Sequence, residues 1–387
     1  MRRLSLVAAI ILLAAGSSLA QPAPRKAPAK APTQSVPADD KPKFKAIWEP
    51  VNYKQDLKLT DVFFVSEQVG WVSGAAGTLL KTTDGGDSWT AVLGGDASAK
   101  DDPIATLRFT GENHGWAVKG TGKLLRTTDG ANWEEFGRIG AEYGYYYDYA
   151  FVSPTSGVQI VKHNEYLAQT GDGGKTWKTV LPSCTAQLEI DGLSRTVKCS
   201  PRSFFFLSPT VGFAVGAATA PTGGVTPAKA LVVLKTDDGG TTWKTLSVTP
   251  DVAHEHESHF WQGVVFTDEN TGFVIMPRGS KFLGTSDGAK TWRGVIANVK
   301  GKLKFAGLRV GWSFDDKNHL TYTTDGGKRW ASVALRFPAP VNAFSLPSPQ
   351  RGYVVGDHGM IYRYRIVQID YTAKGMLDAP VMPAKEQ

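Results

Sequence analysis

Cysteine and methionine are scarce in this chain, at two and five residues in 387. The two cysteines lack the C-x-x-C spacing of a redox-active pair, which excludes that chemistry. After the first twenty residues no apolar run is long enough to cross a bilayer, so no helical span is expected downstream. Helical periodicity is missing throughout. An excess of one charge is missing from the body as well. Of 43 basic and 36 acidic residues, the first 45 positions hold eight and two, which leaves 35 against 34. The formal charge of +7 is therefore a property of the leading segment and no argument for a nucleic-acid partner. What the chain has in plenty is glycine, 42 residues, and tryptophan, 11. That pairing favours tight turns with repeated aromatic anchors.

The first twenty residues carry Arg2 and Arg3, an apolar run from Leu4 to Ala15 and a small-residue end at Ser18-Leu19-Ala20. They read as a secretory signal peptide cleaved after Ala20, which places the protein in the periplasm or outside the cell. Residues 21–43, rich in Pro, Ala and Lys, have too little to bury and read as an extended tether. Cys184 and Cys199 lie fifteen residues apart. In an exported chain they are expected to close a disulfide that pins a surface loop, a closure worth about 3 kcal/mol in the loop-entropy account.

The dominant feature is a repeat. "FVSEQVGWVSGAAGTLLKTTDGGDSW" (64–89) returns at 109–133, 151–177, 206–243, 266–292 and 305–330, and its first half returns at 346–366. The leading apolar residue precedes a glycine by six positions every time, from Phe64 and Gly70 through to Leu346 and Gly352. Each unit reads as four short strands joined by turns. Seven such units predict an all-β, seven-bladed propeller of four-stranded antiparallel blades over 44–371, followed by a flexible tail at 372–387. The seventh unit lacks its outer strand. "FKAIWEPV" at 44–51 is expected to supply it and so close the ring.

In the repeated turn the acid is Asp84, Asp129, Asp172, Asp238, Asp287 or Asp325, and the aromatic is Trp89, Trp133, Trp177, Trp243, Trp292 or Trp330. An Asp carboxylate can accept the turn's own N–H groups, Gly supplies positive φ, and the Trp anchors the hairpin. Six equivalent turns spread around a ring do not converge on one point, as catalysis requires. They read as architecture.

These turns resemble the Asp-box, or bacterial neuraminidase repeat, of sialidases. The fuller unit, Gly-Trp-x-x-Gly…Thr-x-Asp-Gly-Gly-x-x-Trp, is similar to that of the photosystem II stability/assembly factor family over roughly 44–366. That resemblance implies a seven-bladed propeller with an assembly or scaffold role in the envelope. The second unit is one residue short, and the fifth has Ala289 where glycine is usual. The Arg-Ile-Pro signature of sialidases is absent.

The expected function is thus a non-catalytic scaffold or assembly factor whose partner is a protein of a membrane or envelope complex. No cofactor and no nucleic acid are expected. The alternative is a carbohydrate-binding or glycoside-cleaving propeller that uses two carboxylates on central loops and takes a glycan. The candidate binding face combines Tyr143, Tyr145, Tyr146 and Tyr147 with Arg202, Trp261 and Gln262 at the starts of inner strands. His254, His256 and His259 form at most a partial metal site, and a solvated polar loop is the competing reading.

Overall fold

The computed structural model describes residues 44–139, 148–161, 166–181, 184–190, 192–220, 222, 228–250, 263–275, 282–295, 302–315 and 317–369. They form seven antiparallel sheets, each meandering from an inner strand A to an outer strand D. Blade 1 shows the pattern with Leu59–Phe64, Gly70–Gly74, Leu79–Thr82 and Thr90–Leu93. The inner strands of blades 2 to 7 are Ile104–Phe109, Tyr149–Phe151, the second half of Leu193–Phe206, Gly263–Phe266, Leu303–Ala306 and Val341–Ser348. Blade 7 takes its outer strand from the start of the propeller: Phe44–Pro50 pairs antiparallel with Ile361–Gln368, from Phe44 opposite Gln368 to Pro50 opposite Tyr362. Glu49 fastens this closure. It accepts from Arg365 Nε at 2.6 Å and from Arg363 Nη2 at 3.2 Å.

The spacing of six from apolar residue to glycine has a steric cause. Phe64 pairs directly with Gly70 across the A–B hairpin, and its ring lies over the glycine. A Cβ added at Gly70 would stand 2.5 Å from Phe64 Cδ1. The same aromatic ring is then sandwiched at the seam between blades. The aromatic residue after the glycine stacks on the next blade's Phe: Trp71 on Phe109 with ring centroids 3.9 Å apart, Trp116 on Phe151 at 3.8 Å, Phe213 on Phe266 at 3.7 Å and Tyr353 on Phe64 at 3.6 Å. The Trp of the repeated turn approaches that Phe edge-on, as Trp89 does Phe64 at 6.1 Å and 86°. The core is accordingly spread over seven seams. The turn Trp immediately precedes strand D and packs at a seam between blades.

Each Asp turn is closed on itself. Thr82 donates its hydroxyl to Asp84 Oδ1 at 2.7 Å and accepts the N–H of Gly86 at 2.9 Å, and Ser88 N donates to Asp84 Oδ1 at 3.0 Å. These bonds, led by the Ser88 hydroxyl, hold the Asp84 carboxyl down at about 2. The shortened second unit keeps the scheme because Asn132 replaces the hydroxyl donor, with Nδ2 at 2.7 Å from Asp129 Oδ2. In the fifth unit Ala289 takes the glycine's place at φ 65°, its methyl buried in the seam. The turns are also tied to the preceding blade: Trp116 Nε1 donates to Gly173 O at 2.8 Å and the Tyr353 hydroxyl to Gly85 O at 2.9 Å.

Blade 4 departs from the four-stranded expectation. Its sheet has five strands, in the order Cys184–Ile190, Leu193–Phe206, Gly212–Ala220, Ala228–Thr236 and Lys244–Pro250. Cys184 and Cys199 face each other across the added hairpin and are disulfide-bonded. The bond therefore links two paired strands and does not pin a loop. The strand alternates: Cys184, Ala186, Leu188 and Ile190 are buried, while Thr185, Gln187 and Glu189 are exposed. Thr245 Oγ1 donates to Thr185 O at 3.3 Å, so the outermost strand curls back toward the added one. Small interior residues, Ala186, Ala218 and Ala230, leave room for that curvature.

Candidate functional site

The inner strands of all seven blades line a central cavity of about 690 Å³. Period-two alternation sends one face of each strand toward it, and in blades 1, 2 and 6 that face carries a charged residue: Asp61, Arg108 and Lys304. Asp148 enters just before strand A of blade 3, and Tyr149 follows it.

These groups are wired from blade to blade. Asp61, 5% exposed, accepts the N–H of Leu107 in blade 2 at 2.9 Å, and Arg108 Nη1 stands 3.7 Å from the same oxygen. Arg108 Nε donates to Tyr149 O at 3.2 Å, and the guanidinium lies 4.9 Å above the Tyr149 ring. The Tyr149 hydroxyl pairs with Thr106 Oγ1 at 2.8 Å. Asp148 Oδ2 accepts from the Ser203 hydroxyl at 2.8 Å and from Phe204 N at 3.1 Å in blade 4. Ser345 does the same for Phe64 N at 3.2 Å, across the join between blades 7 and 1.

Burial pushes the Tyr149 phenol up to about 12 and keeps it neutral. Burial works against the charge on Arg108, but Tyr149, Asp61 and Asp148 outweigh it and raise the guanidinium's pKa. Lys304 differs. Its ammonium donates to Phe344 O at 2.6 Å and sits 5.1 Å above the Phe344 ring, and desolvation brings it down to about 8. The channel therefore offers a cationic wall formed by Arg108 and Lys304, and two carboxylates already committed to backbone N–H groups.

Sequence reasoning did not single out Asp61, Arg108, Asp148 or Lys304. Their signal was there, as charged residues in or just before the inner strands, at positions that face the channel. Of the expected face, Arg202 is described: it is half-buried at an irregularity of register between Pro201 and Ser203. Tyr143, Tyr145, Tyr146, Tyr147, Trp261 and Gln262 lie outside the described residues, as do His254, His256 and His259. Among the described residues no three His, Cys, Asp or Glu side chains gather to hold a metal ion. Nor is any helix there long and apolar enough to cross a membrane.

A closed ring of Asp-box blades around a lined channel defines a seven-bladed propeller of the neuraminidase-repeat class. Residues 41–139 match the family model described as "Photosynthesis system II assembly factor YCF48", which agrees with the resemblance carried by the repeat. The fold is similar to that of YCF48 from Cyanidioschyzon merolae, at 19% identity, a TM-score of 0.55, and coverage of 82% of this chain and 98% of that one. YCF48 bound to D1 peptide is similar at 20% identity and a TM-score of 0.55, with 86% of this chain and 99% of that one covered. A catalytically inactive virginiamycin B lyase from Staphylococcus aureus with quinupristin shares the fold at 10% identity and a TM-score of 0.54, over 84% of this chain and 100% of that one. No curated protein matches by sequence.

Proposed function

We propose that this chain is an exported, non-catalytic propeller that serves as a protein-binding platform for assembling a membrane or envelope complex. On this reading residues 1–20 direct export to the periplasm or beyond, 21–43 tether the ring and 372–387 trail from it. The likeness to YCF48, which has been seen bound to D1 peptide, supports a polypeptide partner. Lyases use the same fold, and fold by itself does not decide function.

The observation that carries the reading is the state of the channel carboxylates. A glycosidase needs two, one held protonated or nucleophilic beside the substrate. Asp61 and Asp148 instead accept backbone N–H groups of the following blade, which fixes them as joints of the ring.

The test is to isolate a tagged chain from gently solubilised envelopes at two salt concentrations and identify what accompanies it. One stoichiometric membrane protein, lost when Tyr146, Tyr147 and Arg202 are changed together, is the expected result. Retention on a glycan array with no protein partner would replace this reading with the carbohydrate one.

A further inference from the structure

The residue before the Thr of the Asp turn, or its counterpart in blade 7, reaches across the seam in blades 2, 3, 4 and 7. Arg126 donates to Pro154 O of the next blade at 3.2 Å. Gln169 donates to Thr241 Oγ1 at 3.1 Å and Gly239 O at 3.4 Å. Lys235 pairs with Glu269 at 2.9 Å. Arg363 donates to Gly85 O at 2.9 Å and to Asp87 at 2.7 Å. Lys81 lies over the Trp71 ring at 5.3 Å, and Tyr322 packs into the apolar cluster of its seam. In blade 5 the position is Gly284, which has no side chain to send. A cavity of about 500 Å³ stands at the seam of blades 5 and 6, with Phe273, Gly284 and Gly326 among its walls.

The charge around this seat is inverted. The position of Asp87, which faces Arg363 in its own seam, is occupied in blade 6 by Lys328. The position of Glu269, which faces Lys235, is occupied by Leu308, with Arg309 next to it. Arg293 of strand D adds a third cation to the lining. The two carboxylates nearby are engaged in their own turns: Asp268 accepts from Asn270 N and Thr271 N, both at 2.7 Å, and Asp325 from Thr323 and Arg329. Two other seams match a cation with a carboxylate, Lys235 with Glu269 and Arg363 with Asp87, whereas among the described residues this one presents Arg293, Arg309 and Lys328 around a slot with an aromatic floor.

We infer that the seam of blades 5 and 6 takes in trans what Gly284 does not supply: an acidic side chain, glutamate or aspartate, from a partner segment lying across the rim. The methylenes would lie against Phe273 and the carboxylate among the three cations. This assigns a subsite to the platform proposed above and rests on that reading.

The probes are a fluorescein-labelled (Glu-Gly)4 amide and its (Gln-Gly)4 counterpart, followed by fluorescence anisotropy at low and high salt. The expected result is binding of the acidic peptide, weakened by salt and at least about tenfold tighter than the neutral one. Gly284→Gln, which refills the seat from within on the pattern of Gln169, should lower that affinity about tenfold. A Cβ at 284 stands 3.1 Å from Val295 Cγ2 and 3.4 Å from Phe273 Cδ1, so the fold of this variant is checked by its melting. Lys328→Glu, at an exposed position, gives the same readout if Gly284→Gln does not fold. Equal binding of the two peptides, unchanged affinity in the variants, or displacement by glucuronate better than by glutamate overturns the inference. None of these outcomes touches the envelope-partner experiment, so the subsite and the platform fail separately.

Discussion

At Gly70 a single hydrogen keeps two blades in register. The Phe64 ring covers that glycine and stacks on Tyr353 of the neighbouring blade, so a methyl group there must move both rings. Gly70→Ala should destabilise the protein by about 1–3 kcal/mol in chemical denaturation. Gly171→Ala, where an added Cβ meets nothing within 4 Å, should change stability by less than about 0.5 kcal/mol. Lys304 gives a second prediction at this scale, with a sign. Its pKa is about 8 in the fold and about 10.4 in an unfolded chain. Below 8 the amine is charged in both states and the folded state carries the full cost of desolvating it. Between about 8 and 10.4 the unfolded chain binds the extra proton, so stability rises with pH. Lys304→Met should therefore raise the melting temperature at pH 7, and its advantage should shrink as the pH approaches 10. A constant difference across that range would remove Lys304 titration as the cause.

Among the elements, the added hairpin of blade 4 is the one that depends on covalent help. Replacing Cys184 and Cys199 together by alanine removes a fifteen-residue closure, worth about 3 kcal/mol in the loop-entropy account. Hydrogen exchange should speed up over residues 184–200 and leave the inner strands of blades 1 and 7 protected. Uniform loss around the ring would instead make the hairpin part of the ring's own stability. Strands and turns were legible in the sequence because Phe, Gly, Asp and Trp recur at fixed spacing, each set by a local contact. The hairpin's alternation at Cys184, Ala186, Leu188 and Ile190 was legible too, but it falls outside the repeat that organised the reading. Pairings such as Asp61 with Leu107 N were not legible, since ring geometry, and not spacing, brings one blade's side chain to the next blade's backbone. Gly284 was hidden for another reason: one glycine among 42 shows as a vacancy only after its six counterparts are seen to fill theirs.

For the whole molecule the decisive element is the closure where the propeller's first and last strands pair. Trp48 lies within 5.3 Å of both the Phe337 and Tyr364 rings and 5.6 Å of Trp312, and Glu49 holds two arginines. Deleting residues 1–50 removes these contacts and bares the edge of Ile361–Gln368. The shortened chain should melt at a lower temperature and associate through that edge as its concentration rises, a change that light scattering reads directly. A monomeric product with unchanged melting would mean that the ring stands without its closing strand.

That closure also orders events in time. Phe44–Pro50 leaves the ribosome about 310 residues ahead of Ile361–Gln368, its only ladder partner among the described strands. At ~5–20 residues per second the wait is on the order of tens of seconds. Until that strand is available the first strand of the propeller is an orphan, and six blades can stack before it has anything to pair with. Sealing the ring therefore waits for Ile361–Gln368, and a chain that stops short of that strand leaves the first one unclaimed.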